Sequence, residues 1–212
     1  MFSLVTVLIL TISSAIIQHI MKLRDERRAA LAYFYFDFRD EEKQTVRNVV
    51  TSLLIQLSVY EKPCCSIIYR LFSAHGNGAQ QPSNGVLIDH LKEMLKAVAQ
   101  RPIFIILDAL DECLDYGMPT AREDVLNLVE ILVHLRLSNL HICVTSRPEV
   151  DIQTMLKPLA INAISLHDEA EQKSVISNYV SSVVSSDLRM RKWRAEDKKL
   201  VVKELSARAD GM

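Results

Sequence analysis

Apolar residues along this chain follow two different periods. Short unbroken runs, LAYFYFDF at Leu31–Phe38, IFIIL at Ile103–Leu107 and LHICV at Leu140–Val144, are too dense and too short for amphipathic helices. Runs of this kind predict strands buried on both faces, as in a parallel sheet. Between them the spacing changes to the helical one. Val46, Val49, Val50, Leu53, Leu54 and Leu57 form one stripe and predict a helix over roughly 42–59, stopped by Pro63. The short apolar piece Ile67–Phe72 predicts another helical turn or two. Leu87, Ile88, Leu91, Leu95 and Val98 predict a helix over 86–99, and further helices are expected at 122–136, 168–184 and 196–209. Leu4–Leu10 predicts a buried strand running into a helix that starts near Ser13, and Ala160–Leu166 is a further candidate strand. Strand alternating with helix implies a three-layer α/β domain, a parallel sheet with helices on both faces.

Composition narrows the function. The chain has 212 residues, 49% of them hydrophobic, and a formal net charge of −1. That suits a globular domain and excludes a disordered chain or a nucleic-acid binder working by bulk charge. Glycine occurs only 5 times, where ordinary usage gives about fifteen. Three of these glycines sit in GNGAQQPSNG, Gly76–Gly85, a loop by composition with no Gly-Lys-Ser/Thr at its end. The cysteines, Cys64, Cys65, Cys113 and Cys143, show no C-x-x-C spacing, which argues for buried free thiols in a reducing compartment and against zinc.

Residues 1–21 carry no charged side chain. As a helix they would span about 31 Å, enough for a bilayer core, with Lys22, Arg24, Arg27 and Arg28 on a cytoplasmic side. Ser3, Thr6, Thr11, Ser13, Ser14, Gln18 and His19 offset most of the gain from insertion. A buried strand and helix is therefore favoured, with a signal anchor through residues 1–21 as the alternative.

The candidate chemistry lies at two strand ends. IFIILDALDEC places Asp108 at the carboxyl end of a buried strand, the edge at which open α/β sheets bind ligands. Asp111 and Glu112 follow on the turn. Three carboxylates so close repel unless cations compensate them, and a Mg²⁺-nucleotide supplies that compensation. Thr145, Ser146 and Arg147 leave the next strand at the same edge, where an arginine can make a forked contact to a terminal phosphate.

These residues resemble the NACHT nucleotide-binding module of STAND-type NTPases, most of all in fungal NOD-like receptors and their nephrocystin-like relatives. SSAIIQHI, Ser13–Ile20, is similar to the helix after that family's P-loop. LAYFYFDF is similar to its second strand, LDALDEC to Walker B with the extra acidic pair, and HICVTSRPE, His141–Glu149, to its sensor strand. The final ADGM resembles the start of the segment leading to the helical regulatory region. The resemblance implies a P-loop NTPase-like fold, with 1–12 as an apolar segment replacing the first strand, 13–166 as the nucleotide-binding core, and 167–212 as the start of a truncated regulatory region. It implies ATP or GTP with Mg²⁺ as cofactor, Asp108 as the metal ligand, Asp111 and Glu112 as the groups that position water, and Arg147, Thr145 and Ser146 as nucleotide contacts. It further implies a cytoplasmic signalling switch in innate immunity, partnered by itself or by other NOD-like receptor subunits, with effector and repeat domains outside this chain. One departure stands out. Carried back without gaps from Ser13, the P-loop lysine position is Ile9 and the Ser/Thr position is Leu10, and no Gly-Lys pair occurs anywhere. The runner-up reading is a non-enzymatic interaction scaffold that kept the sheet and lost the nucleotide.

Overall fold

A computed structural model describes residues 4–98, 100–115, 120–163, 180–182, 184–185, 190 and 193–208. The chain divides into two compact units, Ile9–Ala160 and Met1–Leu8 with Ile161–Met212. Helix α1, Leu4–Asp25, begins in the second and continues in the first.

The larger unit holds a parallel sheet of β1 (Ala30–Tyr35), β2 (Ile103–Asp108) and β3 (Leu140–Val144), in the order β1-β2-β3. The register pairs Tyr35 with Asp108 and Leu107 with Val144, so all three strands finish at one edge. Ile103, Ile105 and Leu107 join Ala30, Ala32 and Phe34 on one face, packed against the stripe Val46, Val49, Val50, Leu53, Leu54 and Leu57 of α2 (Val46–Tyr60). Buried residues of α3 (Lys62–Ala74), α4 (Asn84–Ala97), α5 (Ala121–His134) and α6 (Val150–Leu156) complete that core. On the opposite face Leu31 and Ile106 meet Ile17 and Ile20 of α1. Helices thus cover both faces of a parallel sheet, the three-layer α/β architecture expected.

Capping explains where the helices begin. Thr45 accepts from the Asn48 N–H and Ser83 from the Val86 N–H. Thr120 and Glu123 form a complete capping box for α5. The loop expected to Gly85 therefore ends two residues early, at the Ser83 cap.

Several expectations change. Residues 4–10 are helical instead of a strand. No glycine or proline separates them from the Ser13 helix, so the helix runs on, and Lys22 and Arg24 in its last turn suit the helix dipole. Among the described residues no helix is long and apolar enough to cross a membrane. Pro63 opens a second helix rather than only ending the first, because its missing N–H costs nothing in a first turn. That helix is α3, longer than the turn or two expected. β3 is half-exposed, not fully buried, and among the described residues it forms an edge of the sheet. Cys65 is exposed, whereas Cys64 and Cys113 are buried. Of the candidate strand at 160–166, residues 160–163 are not strand and the rest lies outside the described residues. The helix expected at 168–184 falls mostly outside them as well. In the smaller unit, α7 (Ala195–Arg208) matches the final helix, with Leu200 and Leu205 exposed.

The two edges of the sheet are finished differently. Gln56 of α2 donates through Nε2 to the Tyr33 carbonyl at 2.7 Å and accepts from the Tyr33 N–H at 3.1 Å. Its amide takes the place of a neighbouring strand along β1.

Candidate functional site: the carboxyl edge of the sheet

β2 ends in Asp108, and the chain must then leave the sheet sharply. It does so through Ala109, held in the left-handed region at φ 59°, ψ 48°. For a residue with a Cβ this costs about 1–2 kcal/mol, so neighbouring bonds must hold it. Thr145 supplies them. Its hydroxyl accepts from the Ala109 N–H at 3.0 Å, its carbonyl accepts from the Leu110 N–H at 2.9 Å, and its own N–H reaches the Leu107 carbonyl at 3.0 Å. Leu110 is buried and anchors the short 3-10 turn Leu110–Glu112 that presents the two further acids.

Asp108 is fully buried, 0% exposed. Its Oδ1 accepts from the Thr145 hydroxyl at 2.5 Å and from the Ser13 hydroxyl of α1. Ser13 is also 0% exposed. The other carboxylate oxygen, Oδ2, is buried with no protein partner. Leaving such an acceptor unsatisfied costs on the order of 1–3 kcal/mol.

Asp111 does not face the cleft alone. Its Oδ1 accepts from the Arg147 backbone N–H at 3.0 Å, and its Oδ2 lies 3.3 Å from the Arg147 Nε. The Asp111 side chain is 8% exposed and that of Arg147 55%. Ser146 lies half-buried between Thr145 and Arg147. Burial pushes the Glu112 carboxyl up from the usual range, a backbone hydrogen bond at Phe38 opposes this, and Asp111 and Asp37 add to it. On the β1 side, hydrogen bonds from Arg39 lower Asp37 to about 2. Burial and then the nearby Asp108 raise the Tyr35 phenol, against a hydrogen bond with Ser14.

The structure therefore brings Asp108, Asp111, Thr145 and Arg147 together, with Glu112 and Ser146 beside them. Sequence reasoning missed two participants. In the sequence Ser13 stands at a helix start and among the polar interruptions of residues 1–21, with no sign of its contact to Asp108. Arg122 was one residue of a helix, yet it is 6% exposed. It donates to the Asp111 carbonyl at 2.8 Å and the Cys113 carbonyl at 3.1 Å, and pairs with Asp151 of α6 at 3.2 Å. A signal for it existed: an arginine in the first turn of a helix opposes the dipole and needs acceptors elsewhere.

The fit to a Mg²⁺-nucleotide is poor. The positions of the P-loop lysine and hydroxyl, Ile9 and Leu10, lie within α1, so no open loop of backbone amides exists there. Asp108 spends Oδ1 on two protein hydroxyls, and Arg147 lies against Asp111. Mg²⁺ keeps several waters, whereas Asp108 is 0% exposed.

The family described as nephrocystin 3, N-terminal, matches residues 10–147, well over half of the chain. No curated protein matches. Among solved structures, the Drosophila ORC bound to AT-rich DNA and Cdc6 is 14% identical, covering 97% of this chain and 81% of that chain, with a TM-score of 0.29. That score is too low to carry an argument.

Proposed function

The chain belongs to the nephrocystin 3 N-terminal family, and we propose that it works as a NACHT-type signalling module whose nucleotide edge is closed. Its role is then protein association, with itself or with other NOD-like receptor subunits, in cytoplasmic innate-immune signalling. One observation carries this reading: the buried Asp108 carboxylate accepts from both Ser13 and Thr145 on Oδ1, which ties it to α1 and β3. The absence of any Gly-Lys pair supports it. Losing a phosphate lysine and a few amide contacts removes on the order of 5 kcal/mol, which moves a micromolar dissociation constant to millimolar.

A second reading keeps the nucleotide. Asp108 would then hold Mg²⁺, Asp111 and Glu112 would position water, and Arg147, with Thr145 and Ser146, would contact ATP or GTP. The observation favouring it is the partnerless Oδ2 of Asp108, a free position for a cation. Equilibrium binding of fluorescent ATP and GTP analogues, with and without Mg²⁺, separates the two. No saturable binding up to millimolar nucleotide is expected. Micromolar, Mg²⁺-dependent binding sinks the closed-edge reading and installs the switch.

A further inference from the structure

Among the described residues, the α1 side of the sheet carries the smaller of the two apolar clusters. From Ser13 to Asp25 the fully buried side chains of α1 are Ser13, Ile17 and Ile20. Beneath them lie Ala29, Leu31 and Ile106, with Tyr33, Tyr35, Phe104 and Cys143 partly covered. Ile16, Met21 and Leu23 of the same helix pack there only partly buried, and helical propensity adds little for a single amphipathic helix. Polar contacts add to this attachment. Ser13 donates to Asp108, and Ser14 is hydrogen-bonded with Tyr35. Ser13, Ile17 and Ile20 stand at i, i+4 and i+7, so the hydroxyl continues the buried stripe of the helix.

We propose that Asp108 is a hydrogen-bond staple, and that α1 from Ser13 to Asp25 is a releasable cover of the sheet. Asp108 acts as a positioning residue. Thr145 fixes one side of its Oδ1, and Ser13 delivers α1 to the other. Breaking the staple frees α1 and uncovers Leu31, Tyr33, Tyr35 and Ile106, an apolar strip bounded by hydroxyls. This deepens the closed-edge reading and rests on the same carboxylate. Its readout is separate, because α1 release is measured without nucleotide.

The test is amide hydrogen exchange on the full chain, comparing Ser13→Ala, Asp108→Ala and Asp108→Asn with the parent. Asn keeps an accepting oxygen for Ser13 and Thr145 and removes the buried charge. One lost buried hydrogen bond corresponds to roughly tenfold or more in local opening. Residues 13–25 should therefore exchange about tenfold faster in Ser13→Ala and Asp108→Ala, and at the parent rate in Asp108→Asn. The amides of α2, α4 and α5 should not change. Uniform acceleration across all helices would overturn the staple, since it signals general destabilisation. So would an Asp108→Asn variant as fast as Asp108→Ala, which would make charge rather than hydrogen bonding decisive. Slowing of α1 exchange by millimolar Mg²⁺ in the parent but not in Asp108→Asn would make Asp108 a metal ligand and overturn it as well. If nucleotide binds yet the exchange pattern holds, the closed-edge reading fails and the staple stands.

Discussion

The two faces of the sheet are stabilised by different physics. On the α2 side, every inward residue of β1 and β2 meets buried aliphatic side chains from several helices. On the α1 side, among the described residues, buried Ile17 and Ile20, partly buried Ile16, Met21 and Leu23, and a hydroxyl–carboxylate contact do the same task. Fully burying those two isoleucines contributes roughly 3–6 kcal/mol by area, an upper estimate. The thick face is held by non-directional packing that tolerates small shifts. The thin face adds directional contacts to a smaller apolar cluster, Ser13 with Asp108 and Ser14 with Tyr35. A domain built this way can stay folded while one face opens.

The largest expected effect lies on the thick face. Ile105→Ala, fully buried in the central strand, should cost about 2–5 kcal/mol in denaturant melts, whereas Ile17→Ala should cost about 2 kcal/mol, at the low end of that range. Phe104, on the thin face and half-buried against His141 with ring centroids 4.9 Å apart, should also cost less than Ile105. Equal losses at Ile17 and Ile105 would erase the contrast between the faces.

Next comes Arg122→Ala. It leaves the carbonyls of Asp111 and Cys113 without their guanidinium donor, so a loss of about 1–3 kcal/mol is expected. The acidic turn should loosen with it, visible as faster exchange at Leu110–Cys113. A variant as stable as the parent would show that Leu110 alone fixes the turn.

A smaller effect concerns pH. Glu112 has its carboxyl raised by burial, so the folded state holds its proton above the ordinary value of 4.5. Folding stability from this group is therefore greatest in acid and falls as pH rises from 4.5 through the raised value. Glu112→Gln should remove that fall and be slightly more stable than the parent at neutral pH. Asp37, lowered to about 2, works in the opposite sense: its contribution is present above 3.8 and disappears as pH drops through about 2. A Glu112→Gln melt that tracks the parent at every pH would show that burial of Glu112 has no energetic weight.

The smallest effect is no change in stability at all. Burial pushes the Cys64 thiol up to about 12 and that of Cys113 to about 11. Both should resist maleimide in the native protein near neutral pH, while exposed Cys65 reacts. Rapid labelling of Cys113 would mean that the thick face opens as readily as the thin one.

What the sequence by itself determined was local and periodic. The stripe from Val46 to Leu57 and the run Ile103–Leu107 ending in Asp108 were readable because each depends on neighbours a few residues away. From these the alternation of strand and helix followed, and with it a parallel sheet whose carboxyl edge gathers Asp108, Asp111, Thr145 and Arg147. Only the tertiary structure decided what those groups do to one another. Whether Arg147 points at a ligand or lies against Asp111, whether Asp108 meets solvent or the hydroxyl of Ser13, 95 positions away, and whether Arg122 finds two carbonyls are questions of long-range approach. So is the exposure of β3, whose composition is that of a central strand and whose place among the described residues is an edge. Period and propensity carry no information about which distant hydroxyl will reach a buried carboxylate, because that depends on how the layers pack once formed.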